Sequence, residues 1–146
     1  MKRSIKTRGK SNKSKLAQPR RPKAPSDKEL YKLLSQAAKV LFGPRCEICG
    51  NLGSQAMHFH SKKGHPNVKF DLRNILWACT KCHIFDSHIK NDTEHARAAL
   101  IKRIGYPEFY SLFTDAHNDS VKLTAMGRDA LKVQFLHTLS GTSDSP

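Results

Sequence analysis

The stretch HFHSKKGHPNVKFDLRNILWACTKCH, residues 58–83, carries four histidines, two asparagines and a Cys-x-x-Cys pair. It has little of the regular apolar pattern that a plain core segment needs. A second pair, Cys46-Glu47-Ile48-Cys49-Gly50, lies upstream, with 29 residues between Cys49 and Cys79. Two such knuckles close a tetrahedral site of four thiolates, so Cys46, Cys49, Cys79 and Cys82 are the expected ligands of a structural Zn2+. A redox pair would use a single Cys-x-x-Cys, and the second pair argues against it. A site closed by four sulfurs has no open position for water, so any chemistry must come from other residues.

Between the knuckles, AMHFHS (56–61) alternates with period two, the signature of a strand. On that reading Met57 and Phe59 share one face, and His58 and His60 share the other. NVKF (67–70) is expected to return as a second strand after the loop holding Gly64 and Pro66. Thr80 to His88 is expected to be a helix that begins at the second knuckle and brings His83 opposite His58. Phe59, Phe70, Ile75 and Trp77 read as the core of this small unit.

Helices are expected on both sides. Ser26 and Glu29 form a capping box ahead of Leu30, Leu33, Leu34, Ala37, Ala38 and Leu41 at helical spacing, and Gly43 and Pro44 close the helix. Beyond the centre, Asp92 or Thr93 caps a helix bearing Ala96, Ala99, Leu100 and Ile104, which ends at Gly105. Pro107 starts a short helix burying Phe109, Leu112 and Phe113, and Asp119 or Ser120 caps a last one running to about Leu139.

His58, Asn74 and His83 occur in the order His, Asn, His, with the Asn nine positions before the last His and that His directly after Cys82. In this the chain resembles the HNH nucleases with their ββα-metal fold. The wider string, CEICG (46–50), MHFHSKKGHPNVKFDLRN (57–74), ACTKCH (78–83) and ALIKRIG (99–105), resembles more narrowly the NinG/Rap family of phage recombination endonucleases. The fold class implied is α+β: a small zinc-stabilised ββα-metal (HNH) unit flanked by helices, with a disordered basic N-terminal tail. Residues 1–25 are then the tail, 26–140 a single nuclease domain (helix 26–43, zinc and ββα-metal core 45–92, helices 93–140), and 141–146 a flexible end.

The resemblance also implies roles. His58 falls where the HNH general base sits, Asn74 where an Asn orients the base or helps coordinate the metal, and His83 where a helix-borne metal ligand is usual. The catalytic ion would be Mg2+ or Mn2+, stabilising charge on the scissile phosphate. Where many members carry a carboxylate or His just before the base, this chain has Met57. The replacement ligands considered are His60, Gln55, Asp86 and His88. His60 is preferred because it shares the strand face of His58, as ligand or second proton carrier.

Residues 1–25 contain ten Lys and Arg and no acid, within a chain of 146 residues and net charge +14. Such a run buries too little apolar surface to order alone, and it fits a polyanion. Arg3, Arg8, Arg20 and Arg21, with Lys62, Lys63, Lys69, Arg73 and Lys81 from the centre, are the expected phosphate contacts. No stretch reads as a signal peptide or membrane span. The expected location is the cytoplasm, that of the host cell if the protein is phage-encoded.

The function implied by the resemblance is metal-dependent, structure-specific cleavage of branched DNA, such as a Holliday junction or D-loop, during recombination. A homodimer would suit symmetric cutting, and neither a membrane nor a small-molecule substrate is expected. The alternatives are an HNH nuclease acting on ordinary duplex and a non-catalytic zinc-stabilised DNA-binding module.

Overall fold

The computed structural model describes residues 22–118 and 122–141. The architecture is mixed α and β: α1 (Asp27–Phe42), β1 (Gln55–His58), β2 (Ile75–Ala78), a π-helical segment (Lys81–Ile89), α2 (Glu94–Ile104), α3 (Tyr106–Ala116) and α4 (Ala125–Ser140). The helix caps follow local chemistry. Ser26 Oγ accepts from the Glu29 N–H, as the capping box predicts, and Thr124 Oγ1 accepts from Gly127 N–H at the start of α4. Gly105, at φ +81°, ends α2 and starts α3, a backbone conformation in which glycine avoids the clash a Cβ would cause. The last helix thus begins at Thr124; Asp119 and Ser120, expected as its cap, lie outside the described residues.

The two strands pair antiparallel, with Gln55 opposite Ala78 and His58 opposite Ile75. The second strand is therefore not NVKF. It is the ILWA run immediately before the second knuckle. All four of its residues are buried, so it shows no polar alternation, which is the mark of a strand covered on both faces.

Period two still sorts its contacts. Ile75 and Trp77 pack with Leu30, Leu34, Ala37 and Ala38 of α1 and Phe135 of α4. Leu76 and Ala78 pack with Met57, Cys46, Cys82 and the buried faces of α2 and α3. The sheet is a shared wall between two apolar clusters. Phe70, Ile75 and Trp77 lie in the core and Phe59 packs at its edge, as expected. Phe113, expected inside with Phe109 and Leu112, is 46% exposed.

Polar ties lock the layers. Glu47, inside the first knuckle, accepts the Trp77 N–H at 2.7 Å and faces Arg103 of α2 at 3.4 Å. Arg103 also donates to the Ile75 carbonyl at 2.6 Å and lies over the Phe42 ring. The Trp77 ring presses so closely on Gly53 that a Cβ there would come within 2.4 Å of it. No helix among the described residues is long and apolar enough to cross a membrane.

Candidate functional site

The four cysteine sulfurs converge within 4.8 Å of one another. Cys49 and Cys79 are 3.7 Å apart, close to the roughly 3.8 Å edge of a tetrahedron of sulfurs around zinc. Gly50, at φ +76°, makes the turn of the first knuckle, and its N–H bonds the Cys46 carbonyl at 2.8 Å. Burial alone would raise the Cys46 thiol, but donors from the backbone of Cys49, Cys79 and Ile48 bring it down to about 7. Cys82 is pushed up by burial and by the neighbouring thiols. A thiol poised to ionise beside one that resists it is a pairing that a divalent cation resolves. The donor set fits a structural metal such as zinc.

On the far side of β1, a cleft of about 640 Å³ is lined by His58, Lys62, His83, His88, Tyr31 and Gln55, among others. His58 shares the face of Ala56, toward α1, where the Tyr31 ring stands edge-on at 6.0 Å. Its Nε2 lies 2.8 Å from the Lys69 carbonyl oxygen. A carbonyl only accepts, so Nε2 carries the proton in this contact and Nδ1 holds the lone pair. Burial pulls the imidazole below its ordinary range; the Lys69 carbonyl opposes this, and Lys62 and His83 reinforce it. His58 is thus held neutral, in the form that can accept a proton.

The π-helical segment delivers His83 and His88. Its wide pitch shows in the Lys90 N–H bonding the Phe85 carbonyl five residues back, a widening often found at functional sites. The two rings lie 4.9 Å apart. His83 Nδ1 is buried without a hydrogen-bond partner, and burial, then His88 and Lys62, lowers its pKa. A pair of imidazoles facing a cleft suits a divalent ion such as Mn2+ better than the oxygen-seeking Mg2+.

Three expectations need correction. His60 does not share a face with His58: β1 ends at His58, the chain bends, and His60 is 8% exposed, packed against His65 and Phe59. Burial, with His65 and His117 alongside, pulls it down to about 4. Asn74 does not line the cleft. It is fully buried, with Oδ1 accepting the His60 N–H at 2.7 Å and Nδ2 donating to the His60 and Val68 carbonyls. Both of its N–H donors are spent on the loop that carries Lys69, whose carbonyl faces His58.

The third concerns charge. Lys69 pairs with Asp27 at 2.6 Å, and Arg73 binds Asp71 at 2.7 Å and Asp115 at 2.8 Å. Both are engaged internally and are poor free phosphate contacts. Lys62 lies at the cleft, 4.7 Å over the Tyr31 ring, and Lys63 is exposed. Lys81 is exposed beside Asp86. Asp86 faces Lys81 and Lys90 in a separate groove, whereas Gln55 and His88, the remaining alternatives, line the cleft. Arg3, Arg8, Arg20 and Arg21 lie outside the described residues. Tyr31 was missed because its helix reads as pure scaffold; the aromatic phenol among Leu and Ala on the packed face was the available signal.

Comparison with known protein families, curated proteins and solved structures finds no match for this chain.

Proposed function

We propose that the protein is a metal-dependent endonuclease of the HNH type that hydrolyses phosphodiesters in branched DNA. The observation that carries this reading is the His58 contact with the Lys69 carbonyl, which leaves Nδ1 as the free base in a cleft shared with His83, His88 and Lys62.

In the proposed reaction Nδ1 of His58 takes a proton from water. The water oxygen bonds to phosphorus as the bond from phosphorus to the 3′ oxygen breaks. That oxygen then gains a proton from solvent, leaving a 5′-phosphate and a 3′-hydroxyl. A divalent ion bound at His83 and His88 would stabilise charge on the phosphate and the leaving oxygen. Lys62 would contact a neighbouring phosphate, and the basic residues before Pro22 would hold the duplex arms. The preference for branched DNA rests on the likeness to the NinG/Rap string, and selection there would be by shape. A second copy of the chain would match a two-fold junction.

The test is cleavage of a labelled four-way junction and of a linear duplex of matching sequence with Mg2+ or Mn2+. Selective cutting of the junction is expected. Equal cutting would favour a nuclease of ordinary duplex, and salt-sensitive binding without cutting would favour a zinc-stabilised DNA-binding module.

A further inference from the structure

His60, His65 and His117 come from the bend after β1, the following loop and the end of α3. Their rings cluster in space: His60 to His65 and His65 to His117 are each 5.0 Å between centroids, and His60 to His117 is 6.1 Å. Three imidazoles on one tetrahedral zinc, each bound through a nitrogen at about 2.0–2.1 Å, would bring their ring centres to roughly 5 Å from one another.

The hydrogen bonds sort the nitrogens. His65 Nδ1 donates to the Ala116 carbonyl at 3.0 Å, and His117 Nδ1 donates to the Phe113 carbonyl at 2.8 Å. In both rings the lone pair is therefore on Nε2. Fixing one ring nitrogen on a carbonyl while the other stays free is how metal-bound histidines are oriented. The third ring supplies the independent sign: His60 Nε2 is buried and has no hydrogen-bond partner. An orphaned buried nitrogen is costly, and packing of rings alone gives it no reason to persist.

We propose that His60, His65 and His117 form a second metal site, taking a divalent transition-metal ion such as Zn2+ through their Nε2 atoms and tying the loop after β1 to the end of α3. The site stands apart from the cleft and does not depend on the nuclease reading. Among the described residues the four sulfurs are the group of such donors already drawn within 4.8 Å. Closing the imidazole trio falls to His117, which is exposed and has the longest separation to cover. The Phe113 ring, 4.2 Å from His117, covers one side, and Asn74 fixes His60 through both of its backbone groups.

The test is the zinc content of the full chain after equilibrium dialysis against Zn2+. His83→Ala/His88→Ala removes the imidazole pair of the cleft, and in that background the chain is expected to hold one zinc beyond the one bound by the cysteines. Adding His117→Gln, at an exposed position that tolerates change, should remove that extra equivalent, and His117→Gln in the otherwise unaltered chain should also lose one. His65→Gln should act likewise. A background chain holding only the cysteine zinc would overturn the site, and so would an unchanged count after His117→Gln.

Discussion

The side chain of Asn74 closes on both backbone groups of His60, accepting its N–H at 2.7 Å and donating to its carbonyl at 3.0 Å. This clamp bends the chain at the end of β1, sends His60 toward α3 and leaves His58 on the face of the cleft. Asn74→Asp replaces the amide donor with an acceptor against two buried carbonyls, so a loss of about 3 kcal/mol in chemical denaturation is expected. Metal-dependent activity should fall through lost positioning. Native stability with weakened binding of the divalent ion would instead make Asn74 a ligand.

Removing one thiolate opens the cysteine site. Cys79→Ser should release zinc and abolish cooperative unfolding of the centre, since the binding energy of a small metal unit is largely folding energy. Metal analysis with circular dichroism reads both. A folded, zinc-free variant with full activity would contradict a structural role for the four cysteines.

Acid should weaken the packing of α1. Asp27 pairs with Lys69 and with Arg128 of α4 at 2.6 Å each, and these partners, Lys69 first, hold its carboxyl below the ordinary range. A carboxyl lowered on folding contributes stability in full above its unfolded pKa and loses it as pH falls through the folded value. Asp27→Asn should therefore be less stable than wild type at neutral pH, with the gap closing below about pH 4. A gap that persists in acid would assign the effect to packing.

Deleting residues 1–21 removes nine Lys and Arg while keeping Pro25, whose carbonyl accepts from Arg128. DNA affinity should drop and the plot of log affinity against log salt should flatten, by about 0.9 for each phosphate no longer neutralised. Cleavage should persist at low salt. An unchanged slope would mean that the segment leaves phosphate untouched.

Local chemistry was legible in the sequence, and tertiary geometry less so. The Ser26 capping box, the glycine stops of α1 and α2, and the meeting of the two Cys-x-x-Cys pairs are short-range signals, and all are present. The second strand was misplaced because ILWA is buried on both faces and shows no alternation, whereas NVKF alternates by chance within a turn-rich loop. His60 was misassigned because period two was extended one step past the bend that Asn74 imposes. Lys69 looked like a free cation because its partner, Asp27, lies 42 residues away, and Arg73 because only its neighbour Asp71 is local while Glu108 and Asp115 lie 35 and 42 residues away. The approach of His117 to His65 across 52 positions leaves no local pattern at all.

His58 is proposed as the base of a hydrolytic site. The direct measurement is cleavage of a four-way junction with Mn2+ or Mg2+ by the intact protein and by His58→Ala, with zinc content and DNA affinity determined in parallel. A rate loss of about 10²- to 10⁴-fold is expected for the variant, with zinc content and affinity nearly unchanged. Undiminished cleavage by His58→Ala would contradict it.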